Sequence, residues 1–153
     1  MNKKVIDLLN KARSRELTAI QQYMGQHYEL EDRGYGKIAK SLKEIAIAEM
    51  KHAEKLAERI LFLHGIPEYK PDRLPKKGAE IAALLATDIE LESQAIVMYN
   101  DSAALCAAEK DHVSKDLFEE LLKDEEGHVD FFENSKDMVE KLGASYVATL
   151  TDV

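Results

Sequence analysis

The sequence has a single cysteine, Cys106, no tryptophan, and only three prolines among its 153 residues. One cysteine excludes an intrachain disulfide and a metal site built from several thiolates. Cys106 lies among alanines in a helical pattern, so we expect a buried, unreactive thiol. No uncharged run exceeds about a dozen residues, too short for a membrane span. Because an amphipathic pattern follows Met1 directly, with no apolar signal core, the expected location is the cytoplasm.

The overall composition predicts one globular domain covering residues 1–153. Hydrophobic residues make up 45% and charged residues 33% of the chain, enough for both a core and a solvated surface. The formal net charge of −8 disfavours nucleic acid as a partner. We therefore expect neither nucleic acid nor a membrane among its partners.

Proline and glycine divide the chain into helical segments. All three prolines fall between residues 67 and 75, and further break signals occur at Gly34, Gly36, Asp111 and Gly143. Between these breaks, apolar residues recur at steps of three and four, which predicts four helices, each with one inward face. Each would have about 28–31 residues and a length of roughly 45 Å.

The lengths of the connections predict the topology. About three residues join helices one and two, and Asp111 is a good N-cap between helices three and four, so each pair is expected to be antiparallel. Residues 65–78, when extended, can span roughly 46 Å, which is about one helix length. The sequence thus predicts an all-α, ferritin-like four-helix bundle with one long crossover between helices two and three. The tail after Gly143 is compatible with a short fifth helix but does not by itself predict one.

Six ionisable residues interrupt the predicted apolar faces. Burying unpaired carboxylates costs several kcal/mol each, so something must compensate them. Two of the glutamates are followed by a histidine three residues later, a spacing that lets both side chains reach one metal ion. A glutamate from each of two helices and a Glu-x-x-His from the other two is the di-iron carboxylate pattern. The six are Glu16, Glu49, His52, Glu92, Glu125 and His128.

The charge and the donor atoms indicate which metals would bind. Four carboxylates and two divalent ions would give a neutral site. Oxygen and nitrogen donors without cysteine favour iron or manganese, with zinc a common occupant.

The chain also repeats itself. Residues 16–23 and 92–99 share a Glu-x-x-Ala-Ile-x-x-Tyr pattern that ends in Tyr23 and Tyr99. The pairs Glu16 and Glu92, Glu49 and Glu125, and His52 and His128 are each 76 residues apart. This constant offset predicts two helical hairpins related by a pseudo-twofold axis, with one metal ion near each half.

Four segments resemble the bacterioferritins, and the resemblance covers nearly the whole chain. They are ELTAIQQY at residues 16–23, EMKHA at 49–53, ERILFLHGIP at 58–67 and DEEGH at 124–128. The resemblance implies that Glu16 and His52 bind one iron, Glu92 and His128 bind the other, and Glu49 and Glu125 bridge them. It implies a ferroxidase that oxidises two Fe(II) with O2 or peroxide. It also implies a catalytic role for Tyr23 beside the centre.

The family also implies an assembly. Its ferric product is stored as mineral in a hollow shell of twenty-four subunits, and a small ferredoxin is the implied electron donor for iron release. Met50 follows Glu49, so it is rotated by about 100° from the metal-facing side. The resemblance implies that Met50 binds haem b shared between two subunits.

The sequence departs from the family in two places. Some members have a histidine where this chain has Glu44 and an aspartate where it has Ala48, and these residues form an inner-surface iron site there. The loss of a carboxylate at Ala48 puts that site in doubt. The tail from Ser145 to Leu150 differs from the polar ending of the family, which leaves the fifth helix and its pore open.

Three other functions are compatible with parts of the pattern. A rubrerythrin-like di-iron peroxidase would use the same Glu-x-x-His pairs but usually adds a Cys-x-x-Cys site, and this chain has one cysteine. A di-iron oxygenase for a small substrate is typically longer, with an apolar substrate pocket. In a purely structural bundle, the inward polar groups would bond only to each other.

Overall fold

The computed structural model describes residues 2–152, so both ends of the predicted domain, residues 1 and 153, lie outside it. Within this range the regular structure is entirely helical. Four long helices pack as two antiparallel hairpins, and a short fifth helix closes one end, so the predicted fold class is confirmed. The helices are α1 (Lys3–Asp32), α2 (Gly36–Phe62), α3 (Ile81–Ala108), α4 (His112–Leu142) and α5 (Ala144–Ala148). None of the helices in residues 2–152 is long and apolar enough to cross a membrane.

Local side-chain chemistry sets the helix ends. The Asn2 side chain accepts a hydrogen bond from the Val5 backbone N–H at the start of α1. Asp111 does the same for the Ser114 N–H at 3.0 Å, which confirms the predicted N-cap of α4. Gly143 ends α4 with φ of +54°, a left-handed conformation that favours glycine and lets the chain turn into α5.

The crossover between α2 and α3 runs along one face of α1. Its carbonyl groups at Ile66, Lys70 and Lys76 accept hydrogen bonds from α1 side chains that are four and then eight residues apart. The donors are Asn10 (3.0 Å), Ser14 (2.8 Å) and Gln22 (2.7 Å), in the same order. The crossover therefore runs in the direction of α1 over most of the bundle. As a result, α3 is antiparallel to α1 and parallel to α2, as the crossover length predicted.

Two apolar clusters fill the two ends of the bundle, and the ionisable residues lie between them. One cluster includes Leu30, Leu42, Leu85 and Phe132, all fully buried. The other includes Leu9, Leu56, Phe118 and Cys106. Cys106 is a buried free thiol, and burial raises its pKa to about 11, which supports the expected inert role. The dry clusters thus fix the helices on both sides of a polar layer at mid-height.

Candidate metal centre

The structure brings all six predicted side chains together in the polar layer. The four glutamates are fully buried, and the His52 side chain is 3% exposed, whereas that of His128 is 14% exposed. Among the described residues, their ligand atoms form two groups in which all atoms lie within 4.8 Å of each other. One group is Glu16, Glu49, His52 and Glu125, and the other is Glu49, Glu92, Glu125 and His128. Glu49 and Glu125 belong to both groups and therefore lie between them.

Both imidazoles present the same nitrogen to the carboxylates. The Nδ1 atom of His52 lies 3.4 Å from an oxygen of Glu16 and 3.4 Å from one of Glu49. The Nδ1 atom of His128 lies 3.2 Å from Glu49 and 3.1 Å from Glu125. The two rings face each other with their centres 6.3 Å apart. The i, i+3 spacing therefore places each histidine beside the glutamate on its own helix, as the sequence predicted.

Each of the six residues also has one buried atom without a hydrogen-bond partner among the described residues. The close contacts between Nδ1 and oxygen are not hydrogen bonds in the structure, so these atoms have no partner among the described residues. Buried polar atoms are usually paired, so an unpaired atom on every one of the six predicted ligands needs an explanation. The atoms are Glu16 Oε2, Glu49 Oε1, His52 Nδ1, Glu92 Oε2, Glu125 Oε1 and His128 Nδ1.

Two tyrosines connect the halves of the site. The Tyr23 hydroxyl on α1 donates a 2.7 Å hydrogen bond to Glu92 on α3. The Tyr99 hydroxyl on α3 donates a 2.6 Å bond to Glu16 on α1. Both rings are fully buried, and burial together with the nearby carboxylates raises the pKa of each tyrosine well above its ordinary value. Each therefore remains a neutral donor that fixes the glutamate of the opposite half.

Arg15 was not predicted as a site residue, yet its guanidinium lies among the four carboxylates. Its Nη1 atom donates a hydrogen bond to Glu49 at 2.6 Å and another to Glu125. Its Nη2 atom lies 3.2 Å from Glu92, and the whole residue is 2% exposed. Burial alone would lower the pKa of Arg15, but the surrounding glutamates outweigh it and raise the pKa further, so Arg15 is a fixed positive charge.

A carboxylate outside the cluster orients one of the two histidines. Asp124 Oδ2 lies 2.8 Å from His52 Nε2, the ring nitrogen that faces away from the cluster. Asp124 is about half exposed. Its counterpart by the 76-residue offset is Ala48, which has no group to offer His128. Within the part of the chain that the structure describes, His52 therefore has this carboxylate partner and His128 does not.

The protonation of both histidines follows from their carboxylate neighbours. Burial alone would lower the pKa of His52, but the adjacent Glu16 and Glu49 favour the charged ring and raise its pKa to about 11. The pKa of His128 is raised to about 12 by Glu125, Glu49 and Glu92 against the same effect of burial. A metal ion that binds Nδ1 would have to displace a proton from either ring.

The remaining predicted residues lie outside the polar layer. Met50 is on the outer face of α2 with 40% of its side chain exposed. Ile47 (39% exposed) and Leu61 (59%) lie on the same face at helical spacing. Glu44 is exposed and Ala48 is half-buried. The structure thus separates the six clustered residues and Tyr23 from Met50, as rotation along the helix predicted.

Comparisons with known proteins identify the family. A family model described as a ferritin-like domain matches residues 6–141. A bacterioferritin of Desulfovibrio desulfuricans is 40% identical over 147 residues, covering 96% of this chain and 82% of the relative. A bacterioferritin of Rhodobacter capsulatus is 43% identical over 148 residues, covering 96% of this chain and 91% of the relative. This chain belongs to the bacterioferritin family.

Solved bacterioferritin structures have the same fold. The D. desulfuricans bacterioferritin, whose di-iron site was studied in different catalytic states, matches with a TM-score of 0.96 and 39% identity, covering 98% of this chain and 88% of that chain. The R. capsulatus bacterioferritin, with a metal-free dinuclear site and a haem iron, matches with a TM-score of 0.93 and 41% identity, covering all of this chain and 96% of that one. Family and carboxylate–histidine cluster together support a role in iron storage.

Proposed function

We propose that this bacterioferritin-family protein is a ferroxidase that oxidises two Fe(II) with O2 or peroxide at an intrasubunit di-iron centre. The observation that carries the proposal is the set of six unpaired buried atoms, one from each predicted ligand. Carboxylate oxygens and imidazole nitrogens are the donors of non-haem iron sites, so the donor set fits iron. A purely structural bundle would instead pair these atoms with each other.

The two overlapping groups of ligand atoms support a separate pair of terminal ligands for each iron. Glu16 and His52 would hold one iron, Glu92 and His128 the other, and the two shared glutamates would bridge them. Two ferrous ions held side by side supply two electrons to one oxidant.

The protein's own residues supply the rest of the chemistry. Tyr23 and Tyr99 fix the two terminal glutamates by donating to one oxygen of each. The histidines would have to give up their Nδ1 protons to hold iron, and the neighbouring carboxylates stabilise the protonated rings until then. We place Tyr23 in the catalytic set as a hydrogen-bond or electron donor at the site.

We further propose that the ferric product is stored as mineral in a homo-oligomeric shell of twenty-four subunits, built from dimers. Family membership supports this assembly. A small ferredoxin is the proposed electron donor for iron release, and the cytoplasm is the proposed location. The rubrerythrin-like alternative gains no support from Cys106, since one buried thiol cannot form a Cys-x-x-Cys site.

A haem b group shared between two subunits is the second proposed cofactor, with Met50 as its ligand. The exposed side chains of Ile47, Met50 and Leu61 on one face of α2 support this, because they present a thioether among other exposed apolar groups. The R. capsulatus relative contains a haem iron. A Soret band that disappears in Met50→Leu and persists in Met98→Leu would support Met50, whereas retained haem would point to another ligand.

Fe(II) oxidation measured optically tests the ferroxidase proposal. We expect Glu16→Ala and His128→Ala to slow the initial rate at least ~100-fold, since each removes a ligand used in the transition state. The control is Glu126→Ala, which removes an exposed carboxylate next to Glu125 and should leave the rate unchanged. Unchanged rates in the first two variants would contradict the assignment.

The proposed shell is tested by size-exclusion chromatography, which should show a particle of many subunits. A dimer would contradict the storage proposal.

A further inference from the structure

We infer that Arg15 is an internal cation that competes with metal ions for the four glutamates, so that metal loading is an exchange with this side chain. The inference rests on the proposed function, since it requires the six residues to be metal ligands. Arg15 donates hydrogen bonds to both shared glutamates, Glu49 and Glu125. These are the two carboxylates that belong to both candidate groups, so the guanidinium lies at the junction of the two metal positions.

The location of Arg15 restricts where an ion can bind. Glu49 Oε2 and Glu125 Oε2 are engaged by Arg15, while their Oε1 atoms are unpaired. A carboxylate that bridged two ions through both of its oxygens would place one ion at the Oε2 atom that now accepts from Arg15. The guanidinium and that ion would therefore compete for Glu49 Oε2 and Glu125 Oε2. Arg15 would have to move away for both glutamates to bridge in this way.

The charge of the layer leads to the same conclusion. Four carboxylates and two divalent ions are neutral, as the sequence predicted, but the permanently charged Arg15 makes the sum +1. A buried uncompensated charge is strongly unfavourable. The neutral-site prediction is therefore incomplete for this chain, because it did not include Arg15. With Arg15 present, the second ion must either expel the guanidinium from the layer or bind with reduced affinity.

The internal repeat shows that this arginine is not part of the duplicated ligand set. The residue 76 positions after Arg15 is Leu91, an apolar side chain that is 4% exposed. The second hairpin thus supplies no cation of its own beside Glu92, which is contacted instead by Arg15 of the first hairpin at 3.2 Å. Arg15 is an addition to one half of the site, where it balances the carboxylates whenever metal is scarce. Its position favours a protein that is stable without metal and releases ions readily.

The experiment compares the wild-type protein with Arg15→Leu, which copies the residue of the other half. Zn(II), which is redox-inert, is titrated by calorimetry, and the melting temperature is measured with and without excess Zn(II). We expect Arg15→Leu to bind Zn(II) at least ~10-fold more tightly, a change of about 1.4 kcal/mol. Without metal, Arg15→Leu should melt at a lower temperature than wild type. When Zn(II) is added, its melting temperature should rise by more than that of wild type. Arg15→Lys, which keeps the charge but not the forked contacts, should be intermediate.

Arg59 provides the matched control. Arg59 is a largely buried arginine that pairs with Asp111 at 2.8 Å at the end of the bundle, outside the polar layer. Arg59→Leu should lower the melting temperature equally with and without Zn(II) and leave the affinity unchanged. If Arg15→Leu behaves in the same way, Arg15 is only structural and the inference is overturned. If wild type and Arg15→Leu both fail to bind Zn(II), the proposed metal site itself fails.

Discussion

The first hairpin, α1 with α2, and the second, α3 with α4, carry the same ligands at an offset of 76 residues but surround them differently. In the first hairpin, His52 is 3% exposed and has a carboxylate at its outer nitrogen. In the second, His128 is 14% exposed and has no such carboxylate among residues 2–152. The non-equivalent positions around the site are Arg15 and Leu91, Ala48 and Asp124, and Ala12 and Asp88.

This difference distinguishes the residues that the proposed metal binding requires from the residues that alter its affinity. In the proposed centre each ion would need its own terminal glutamate and histidine, and these residues and the two tyrosines occur in both halves. The supporting residues Arg15, Asp124 and Asp88 occur in one half only, and none of them belongs to the two groups of candidate metal-binding atoms. We therefore expect two metal positions with the same ligands but different affinities. The position near His128 should be the weaker and more accessible one.

The largest expected effect comes from removing the support of His52. In Asp124→Ala, the His52 ring loses the acceptor at Nε2 that fixes its orientation. Loss of such an outer partner typically reduces metal affinity by about 10–100-fold. Calorimetric titration with Zn(II) should show that one of the two ions bound per subunit has an affinity lower by roughly that factor. The other ion should be unaffected.

The reverse substitution tests the same comparison. Ala48→Asp places a carboxylate at the pseudo-equivalent position in the first hairpin, where it should support His128. The two ions should then bind with more similar affinities than in the wild-type protein. An equal weakening of both ions in Asp124→Ala would show that the halves do not act separately.

Much of the architecture could be predicted because it depends on repeated local patterns. The apolar spacing set the four helices, the extended length of the crossover set the parallel arrangement of α2 and α3, and the offset of 76 paired the ligands. Tyr99 could also have been assigned, since it aligns with Tyr23 in the repeat. The structure shows that both hydroxyls reach across to the opposite glutamate.

Arg15 and Asp124 could not be found from these patterns. Arg15 precedes Glu16, so it is turned by about 100° from the ligand face, and a long flexible side chain is needed to reach the layer. A helical pattern does not report how far a side chain extends. Asp124 is half exposed and looks like an ordinary surface residue until α2 is packed against α4. Both assignments depend on tertiary contacts rather than on helical spacing.

The tyrosine pair offers a test with a built-in control. Tyr23→Phe and Tyr99→Phe each leave one buried glutamate oxygen without its donor, which costs about 1–3 kcal/mol of folding stability. The two variants should lower the melting temperature by similar amounts. If Tyr23 also takes part in the reaction, only Tyr23→Phe should slow Fe(II) oxidation beyond this shared effect. Equal oxidation rates in the two variants would leave Tyr23 with a purely positional role.

The smallest expected effect concerns Asp88, which has Ala12 as its counterpart. Asp88 is fully buried, accepts a 2.7 Å hydrogen bond from Gln26, and has a second oxygen without a partner among the described residues. Gln26 also has an unpaired carbonyl oxygen. If Asp88 is protonated, its carboxyl O–H can donate a hydrogen bond to a carbonyl oxygen such as that of Gln26. Burial raises the pKa of Asp88 well above its ordinary value, against the favourable bond from Gln26.

The sign of the pH dependence follows from this raised pKa. Below the ordinary pKa of about 3.9, Asp88 is protonated in both the folded and the unfolded chain and costs nothing. Above it, the unfolded chain releases the proton and the folded chain retains it, so the free energy of unfolding falls as pH rises toward the folded-state pKa. Asp88→Asn has no carboxyl group to titrate, so its free energy of unfolding should not show this fall. Its melting temperature should equal that of wild type near pH 3 and exceed it by a few degrees at pH 7. A lower melting temperature for Asp88→Asn at pH 7 would show that Asp88 is ionised and stabilised in the folded protein.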